Sequence, residues 1–249
     1  MAFNTSKHTL VESEDGSFTA FSSEFQEHYH STRDGALHES LYKHVIPAFK
    51  HHQDKEELHI LDICFGLGFN TLATLYYMRE NSIKKRVQIF SPEFDGELIT
   101  SLREFTYPEI FTDLLPIIEV LSREHVYKDD TLYIELYIGD AREYLRTCSE
   151  RFDIVYQDAF SPSTNPLLWT KEYFNDIARL IKDDGLLTTY SMALKTRIAL
   201  YENGFNLYIN SGKGHRDATL ASKSDLSGYE EVDVEHKMCC NPGVRSLRD

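Results

Sequence analysis

No apolar run in this chain of 249 residues approaches the roughly 18 residues that a membrane span needs. The opening stretch, Met1 to Leu10, is polar and lacks the apolar core of a secretory leader. A cytoplasmic chain is therefore expected, with no membrane partner. Cations are scarce: 26 Lys and Arg stand against 40 Asp and Glu, for a formal net charge of −14. That balance argues against broad electrostatic binding of nucleic acid and leaves room only for a local basic patch. Lys195, Arg197, Lys213, His215 and Arg216 offer one such cluster, and Lys84, Lys85 and Arg86 another. For any single one of these residues, a place on a solvated loop or helix face is the favoured reading. The four cysteines, Cys64, Cys148, Cys239 and Cys240, fit neither a disulfide framework nor a paired zinc site. His236 with Cys239 and Cys240 puts its ligands on one tail, which does not close a site, so no metal is expected. The single tryptophan, Trp169, can stack on a base, but a place in the core is the commoner fate.

What the chain does have is enough apolar material for a full core, 41% hydrophobic and 12% aromatic. The first fifty residues read as polar and irregular up to Gly35. Apolar residues over 36–49 then fall at helical spacing, with Pro47 expected to break or kink the helix. After a polar linker, strands and helices alternate. Strands are expected at 58–63, 87–91, 132–138, 152–157 and 185–190. Helices are expected at 70–80, 94–105, 112–124, 141–148, 171–181 and 193–203. Two further strands, 205–210 and 218–222, are joined by Gly212-Lys213-Gly214. Alternation of this kind predicts βαβ units and a mostly parallel, doubly wound sheet. A closing hairpin suits a seven-stranded methyltransferase sheet better than a six-stranded dinucleotide sheet. The expected division is an N-terminal extension over 1–57 covering the active site, a catalytic domain over 58–225 and a C-terminal tail over 226–249.

Two segments carry the chemistry. Asp62-Ile63-Cys64-Phe65-Gly66-Leu67-Gly68-Phe69-Asn70 follows an apolar run and opens a helical pattern. Glycines there let the backbone approach a ligand at a helix N-terminus. A dinucleotide site wants G-x-G-x-x-G, and no third glycine follows Gly68 at that offset. A ligand without phosphate fits better, and S-adenosylmethionine is one. Glu93, past the second strand of the alternation, can accept hydrogen bonds from both ribose hydroxyls, with Asp95 a competing candidate. Asp140 can accept from the adenine amino group while the Ala141 amide pairs with a ring nitrogen; Asp140 can equally cap the helix that follows.

The second segment is Asp158-Ala159-Phe160-Ser161-Pro162-Ser163-Thr164-Asn165-Pro166. Asp158 ends a strand beside the glycine loop, where a transferred methyl group would lie. A carboxylate there suits a nitrogen acceptor, because positive charge moves onto nitrogen as it attacks the sulfonium methyl. The amine must arrive neutral, so Asp158 or a water beyond it must take a proton.

At these positions the chain resembles the methyltransferase domain of the bifunctional tRNA 5-methylaminomethyl-2-thiouridine biosynthesis protein (MnmC) and its stand-alone relatives. The resemblance runs from about Phe21 to Ser222. It rests on the glycine loop from Asp62 to Asn70, on Glu93, and on Gly139-Asp140-Ala141. It rests also on Asp158-Ala159-Phe160 with Pro162, Asn165, Pro166 and Trp169, on Tyr29, Ser31, Gly35 and Glu39, and on Gly212, Gly214, Arg216 and Asp217. Cys64 stands where the family commonly has glycine.

The resemblance implies a Rossmann-like class I fold with S-adenosylmethionine as methyl donor. It implies tRNA as partner, with 5-aminomethyl-2-thiouridine at the wobble position as acceptor. It implies Asp158, Phe160 and Tyr29 as catalytic residues. Asp62, Phe65, Gly66, Gly68, Asn70, Glu93, Asp140 and Ala141 would then hold the cofactor together with Asp158. Glu39, Pro162, Asn165, Lys213 and Arg216 would hold the substrate. The flavin oxidase domain of the bifunctional members is not expected in a chain that ends at Asp249. Two other readings stay open: a small-molecule amine methyltransferase or aminopropyltransferase-like enzyme, and a binding module that keeps the fold without the chemistry.

Overall fold

The structure is a computed structural model that describes residues 3, 7–14, 16–212 and 215–249. Strands β1 (His8–Glu12), β2 (Phe18–Ser22) and β3 (Glu27–His28) form a small antiparallel sheet in the order β1-β2-β3. The region expected to be irregular is therefore folded. The β1–β2 pairing sets His8 opposite Ser22 and Glu12 opposite Phe18, with Gly16 at φ +79° in the turn between them.

A continuous helical stretch follows: α1 (Ala36–Glu39), a π turn over Ser40–Val45, and α2 (Ile46–His51). Pro47 lies at the start of α2 and does not break the helix. Proline lacks an N–H and crowds the carbonyl one turn before it. The wider π turn directly ahead of it relieves that crowding, and such turns recur at functional sites. Here it leaves Lys43 and His44 buried side by side.

The chain then runs β4 (Glu57–Ile63), α3 (Phe69–Glu80), β5 (Arg86–Glu93), α4 (Gly96–Ser101), α5 (Leu115–Glu124), β6 (Val126–Lys128), β7 (Leu132–Ile138) and α6 (Ala141–Thr147). It continues with β8 (Phe152–Gln157), α7 (Lys171–Leu180), β9 (Ile181–Thr189), α8 (Leu194–Tyr201), β10 (Asn206–Gly212), β11 (His215–Ser222), β12 (Glu230–Glu231) and α9 (Val234–Cys240). The large sheet has the order β12-β10-β11-β9-β8-β4-β5-β7-β6. Strands β9, β8, β4, β5 and β7 pair in parallel, and β11 is antiparallel to both β9 and β10. The seven strands expected are present in the class I arrangement, with β6 and β12 added as short edges.

Side chains alternate across this sheet, as the pleat requires. Ile89, Ile154, Leu186 and Leu220 face one core cluster, and Phe90, Val155, Leu187 and Ala221 face the other. Helices cover both faces, so the strands read as nearly unbroken apolar runs.

Three expectations over the rest of the chain need correction. The helix expected over 94–105 begins only at Gly96, because Asp95 caps it by accepting from the Glu97 and Leu98 amides. The helix expected over 112–124 begins at Leu115, with Pro116 in its first turn, where proline costs no hydrogen bond. The C-terminal segment is no loose tail. It adds β12 to β10, buries Val232 and Val234, and pairs Leu247 with Thr170.

Candidate active site

Sheet order reverses about β4: the chain moves from β4 to β5 and β7 on one side, and to β8 and β9 on the other. Such a switch point opens a crevice at the carboxyl ends of the strands. A cavity of about 1360 Å³ lies there, lined from both sides of the switch and by residues of the N-terminal region. Small-molecule pockets usually span about 300–1,000 Å³, so this one has room for more than a single ligand.

The glycine loop after β4 forms its floor. Gly66 and Gly68 sit at φ +54° and +75°, in the left-handed region that favours glycine. A Cβ on Gly66 would lie 3.1 Å from the Tyr29 ring, and one on Gly68 2.9 Å from the Phe65 ring. Cys64 also adopts a left-handed conformation, at φ +64°, where glycine is favoured over a residue with a side chain. Burial, with the Glu93 and Asp158 carboxylates nearby, pushes the Cys64 thiol well up, so it stays protonated.

Around the loop stand the carboxylates. Glu93 is buried at the end of β5; its Oε2 accepts from the Gly66 amide at 2.8 Å and its Oε1 from the Asp95 amide at 2.9 Å. Burial raises its carboxyl from the ordinary value. Asp140 caps α6, accepting from Arg142 N at 2.7 Å, and also lines the cavity with Ala141. Asp62 accepts from Asn70 Nδ2 at 3.3 Å and from Thr71 Oγ1 at 3.1 Å. Burial and the Asp158 charge push the Asp62 carboxyl up to about 8.

Asp158, one residue past β8, has a side chain only 10% exposed. Its Oδ2 accepts from Asn70 Nδ2 at 3.0 Å, and its Oδ1 faces His44 Nε2 at 3.5 Å. Burial alone would raise this carboxyl; His44, then His30 and Asn70, outweigh it and hold Asp158 below the usual carboxylate range. With the Asn70 amide nitrogen spent on two carboxylates, its Oδ1 is a buried acceptor without a partner.

The loop after Asp158 is fixed from several sides. Tyr190 donates to Ala159 O at 2.9 Å, and buried Trp169 donates to Phe160 O at 2.8 Å, so Trp169 is a core aromatic that holds the loop. Glu27 accepts from Ser161 N at 3.2 Å and from Ser161 Oγ at 2.9 Å, which ties β3 to the loop. Phe160 stacks on Phe25 at 4.7 Å and meets Tyr29 at 4.9 Å. Tyr29 bonds His8 Nε2 at 3.0 Å, and burial followed by the Glu93 and Asp95 charges raises its phenol far above the ordinary value, so it is no base at neutral pH.

The expected substrate residues divide. Glu39, Asn165 and Arg216 line the cavity, Pro162 stands in the loop but not on the wall, and Lys213 lies outside the described residues. Glu39 accepts from Ser31 N at 2.8 Å and bonds Lys43, while Arg216 donates to Asp34 at 3.2 Å and to Ser31 Oγ at 2.9 Å. Arg197 is buried and donates to Thr219, so it is no part of an exposed patch. Lys85 donates to backbone carbonyls of residues 52, 53 and 55 at the opposite end of the sheet.

Phe25, Glu27, His30, Lys43 and His44 were missed by the sequence reading. Pro47 inside a helical pattern was the one signal for the last two, since a proline there demands a disturbed turn just before it. Among the described residues, no group of three His, Cys, Asp or Glu is placed to hold a metal ion, and no helix is long and apolar enough to cross a membrane.

Known proteins share this architecture. A family described as S-adenosyl-L-methionine-dependent methyltransferase matches residues 107–224. The crystal structure of MnmC2 from Aquifex aeolicus matches with a TM-score of 0.86 at 31% identity, over 100% of this chain and 81% of that one. An uncharacterized protein of Methanocaldococcus jannaschii is 32% identical over 230 residues, 88% of this chain and 60% of its own. The bifunctional MnmC of Ralstonia nicotianae is 31% identical over 217 residues, 82% of this chain. The chain spans 60% of the length of the archaeal relative and 33% of the bifunctional one.

Fold and site together define a class I S-adenosylmethionine-dependent methyltransferase. Within that class, the chain belongs to the MnmC2 family. The residues present fit the cofactor. Asn70 Oδ1, a buried acceptor on the cavity wall with no partner among the described residues, suits its ammonium, and Gly66 and Glu93 line the wall beside it, whereas Asp62 and Gly68 are off the wall.

Proposed function

We propose that this chain methylates the primary amine of 5-aminomethyl-2-thiouridine at the tRNA wobble position, giving the 5-methylaminomethyl product. The observation that carries the reading is Asp158, a carboxylate kept ionised and held on one oxygen by Asn70, at the edge of the glycine-loop cavity. S-adenosylmethionine supplies an electrophilic methyl group on a sulfonium when bound. Asn70, held by Asp62, would contact its amino-acid end, Glu93 the ribose, and Asp140 with the Ala141 amide the adenine.

The arriving ammonium loses one proton to water, because a carboxylate held below its usual range is too weak a base to keep it, and the ionised Asp158 orients the amine lone pair that results. The substrate nitrogen keeps its other two hydrogens, and the N–C bond it forms replaces the C–S bond that breaks. The product departs as a secondary ammonium, its new positive charge stabilised by Asp158. Phe160, Phe25 and Tyr29 keep water from the reacting atoms and offer aromatic surface to the cationic nitrogen. Glu39, Asn165 and Arg216 contact the nucleotide.

The names of the relatives support tRNA as the acceptor, and a cavity of about 1360 Å³ supports a substrate beside the cofactor. The test is methyl transfer to tRNA from cells lacking this enzyme, followed by mass analysis of the nucleosides. A wobble uridine heavier by one methylene is expected; no incorporation into that tRNA sinks the assignment.

A second reading has one observation in its favour. Among the described residues, nine carboxylates and five cationic side chains line the cavity, a surplus that also suits a small cationic amine. Methylation of free polyamines in the same assay, without methylation of tRNA, selects that reading.

A further inference from the structure

His44 sits in the π turn with its side chain fully buried, edge-on to Tyr156 at 5.7 Å between ring centroids. Its Nδ1 lies 2.7 Å from Thr188 Oγ1. Its Nε2 has no hydrogen-bond partner and faces Asp158 Oδ1 at 3.5 Å. Thr188 is itself wholly buried in β9 and is not on the cavity wall.

Two lone pairs facing each other in a dry site are costly, because neither is compensated. An ionised Asp158 therefore places the ring proton on Nε2. That leaves Nδ1 as an acceptor, and the Thr188 hydroxyl as its donor. The second nitrogen of a histidine commonly sets the tautomer of the first in this way.

We propose that Thr188, His44 and Asp158 form a positioning relay. Asp158 sets the His44 tautomer, the Thr188 hydroxyl donates to Nδ1 and holds the ring in place, and the Nε2–H of His44 holds Asp158 Oδ1 while Asn70 holds Oδ2. Restrained at both oxygens, the carboxylate does not rotate, and its remaining lone pairs face the cavity. Catalytic hydrogen bonds are often long before ligands bind and tighten afterwards, which accommodates the 3.5 Å separation. His44 touches none of the reacting atoms and acts through Asp158. The relay rests on the amine-methylation reading only for what Asp158 does with its direction.

The test reads the tautomer and the kinetics separately. Nitrogen NMR of the histidine-labelled protein, with neither cofactor nor substrate, is expected to show His44 protonated at Nε2 and bare at Nδ1. Thr188→Val keeps the shape and removes the donor. It should loosen the ring and lower kcat about tenfold, while the calorimetric Kd for S-adenosylmethionine stays within about twofold and reports an intact fold. His44→Ala should lower kcat about 100-fold, and His44→Gln, which retains an N–H, should recover part of that loss.

A ring protonated at Nδ1, or at both nitrogens, overturns the relay. So does a Thr188→Val protein with unchanged kcat. If wild-type protein methylates no tRNA, the functional reading fails, while the NMR measurement still decides the relay.

Discussion

Asn70 donates to Asp158 across 88 positions of sequence, at 3.0 Å, and the same amide nitrogen reaches Asp62 at 3.3 Å. One side chain from the start of α3 thus ties the glycine loop of β4 to the carboxylate that ends β8. Asp158→Asn keeps the size of the side chain and removes its charge. Steady-state assays should show kcat reduced about 10²- to 10³-fold, the range for a lost electrostatic contact to charge that develops in the transition state. Calorimetry should find cofactor affinity within a few-fold of wild type. A large loss of cofactor binding with kcat preserved would mean that Asp158 only holds the cofactor.

Asp62 makes the stability of the free protein depend on pH. Its carboxyl is pushed up to about 8 in the folded chain and is near 3.9 in an unfolded one. The proton is therefore bound more tightly by the folded state. The resulting stabilisation is complete below about pH 4 and is lost as pH rises through about 8, at no more than about 1.4 kcal/mol per pH unit. Asp62→Asn should flatten this slope. Thermal melts at pH 5 and pH 8.5 are expected to show the variant gaining on wild type at the higher pH; parallel melting curves at both would contradict the assignment.

Gly66→Ala meets two obstacles at once, a backbone at φ +54° and a Tyr29 ring 3.1 Å from the new methyl group. The left-handed conformation costs about 1–2 kcal/mol for a residue with a Cβ. The ring must also give way, into the space assigned to the cofactor. Cofactor affinity measured by calorimetry should fall at least about tenfold. Unchanged affinity would place the cofactor elsewhere in the cavity.

Glu27 is the clamp between the N-terminal sheet and the loop after Asp158, through Ser161 N and Oγ. Glu27→Ala should loosen Phe25 against Phe160 without touching the glycine loop. The expected outcome is a higher KM for the acceptor with little change in cofactor Kd. A rise in the cofactor Kd alone would show that the clamp serves the other end of the cavity.

Thiol labelling gives an independent check on the glycine loop. Cys239 and Cys240 are exposed, whereas burial keeps Cys64 protonated. At pH 8, iodoacetamide should modify the two C-terminal cysteines of the native protein and leave Cys64 unmodified, as read by peptide mass analysis. Fast labelling of Cys64 would contradict its assigned environment.

The sheet and its glycine loop were legible because buried parallel strands are nearly unbroken apolar runs, as from Leu58 to Ile63, and because Gly66 and Gly68 follow one directly. The N-terminal sheet was harder to see. Only His8 of β1 is buried while Thr9, Leu10 and Glu12 are exposed, so the strand shows no alternation and is too short to stand out from a polar stretch. The C-terminal segment was misread because its anchors are few and far apart in sequence. Leu247 pairs with Thr170, and Asp249 bonds Arg142 and Thr170. His44 was invisible for a different reason: a lone histidine on a helical pattern gains meaning only from Thr188 and Asp158, which the fold alone brings to it.

The turn over Ser40–Val45 also works as a counting device. Each residue of an ordinary helix advances the side chains by about 100°. One residue accommodated in a wider turn therefore sets the faces before and after it out of phase, and it does so between Glu39 on the cavity wall and α2 on the sheet. Deleting a single residue there would straighten the helix and still let α2 dock, but it would swing Glu39 and the chain leading back to Tyr29 away from the cavity. Related chains that keep this chemistry should therefore tolerate substitutions through this helix more readily than any change in its length.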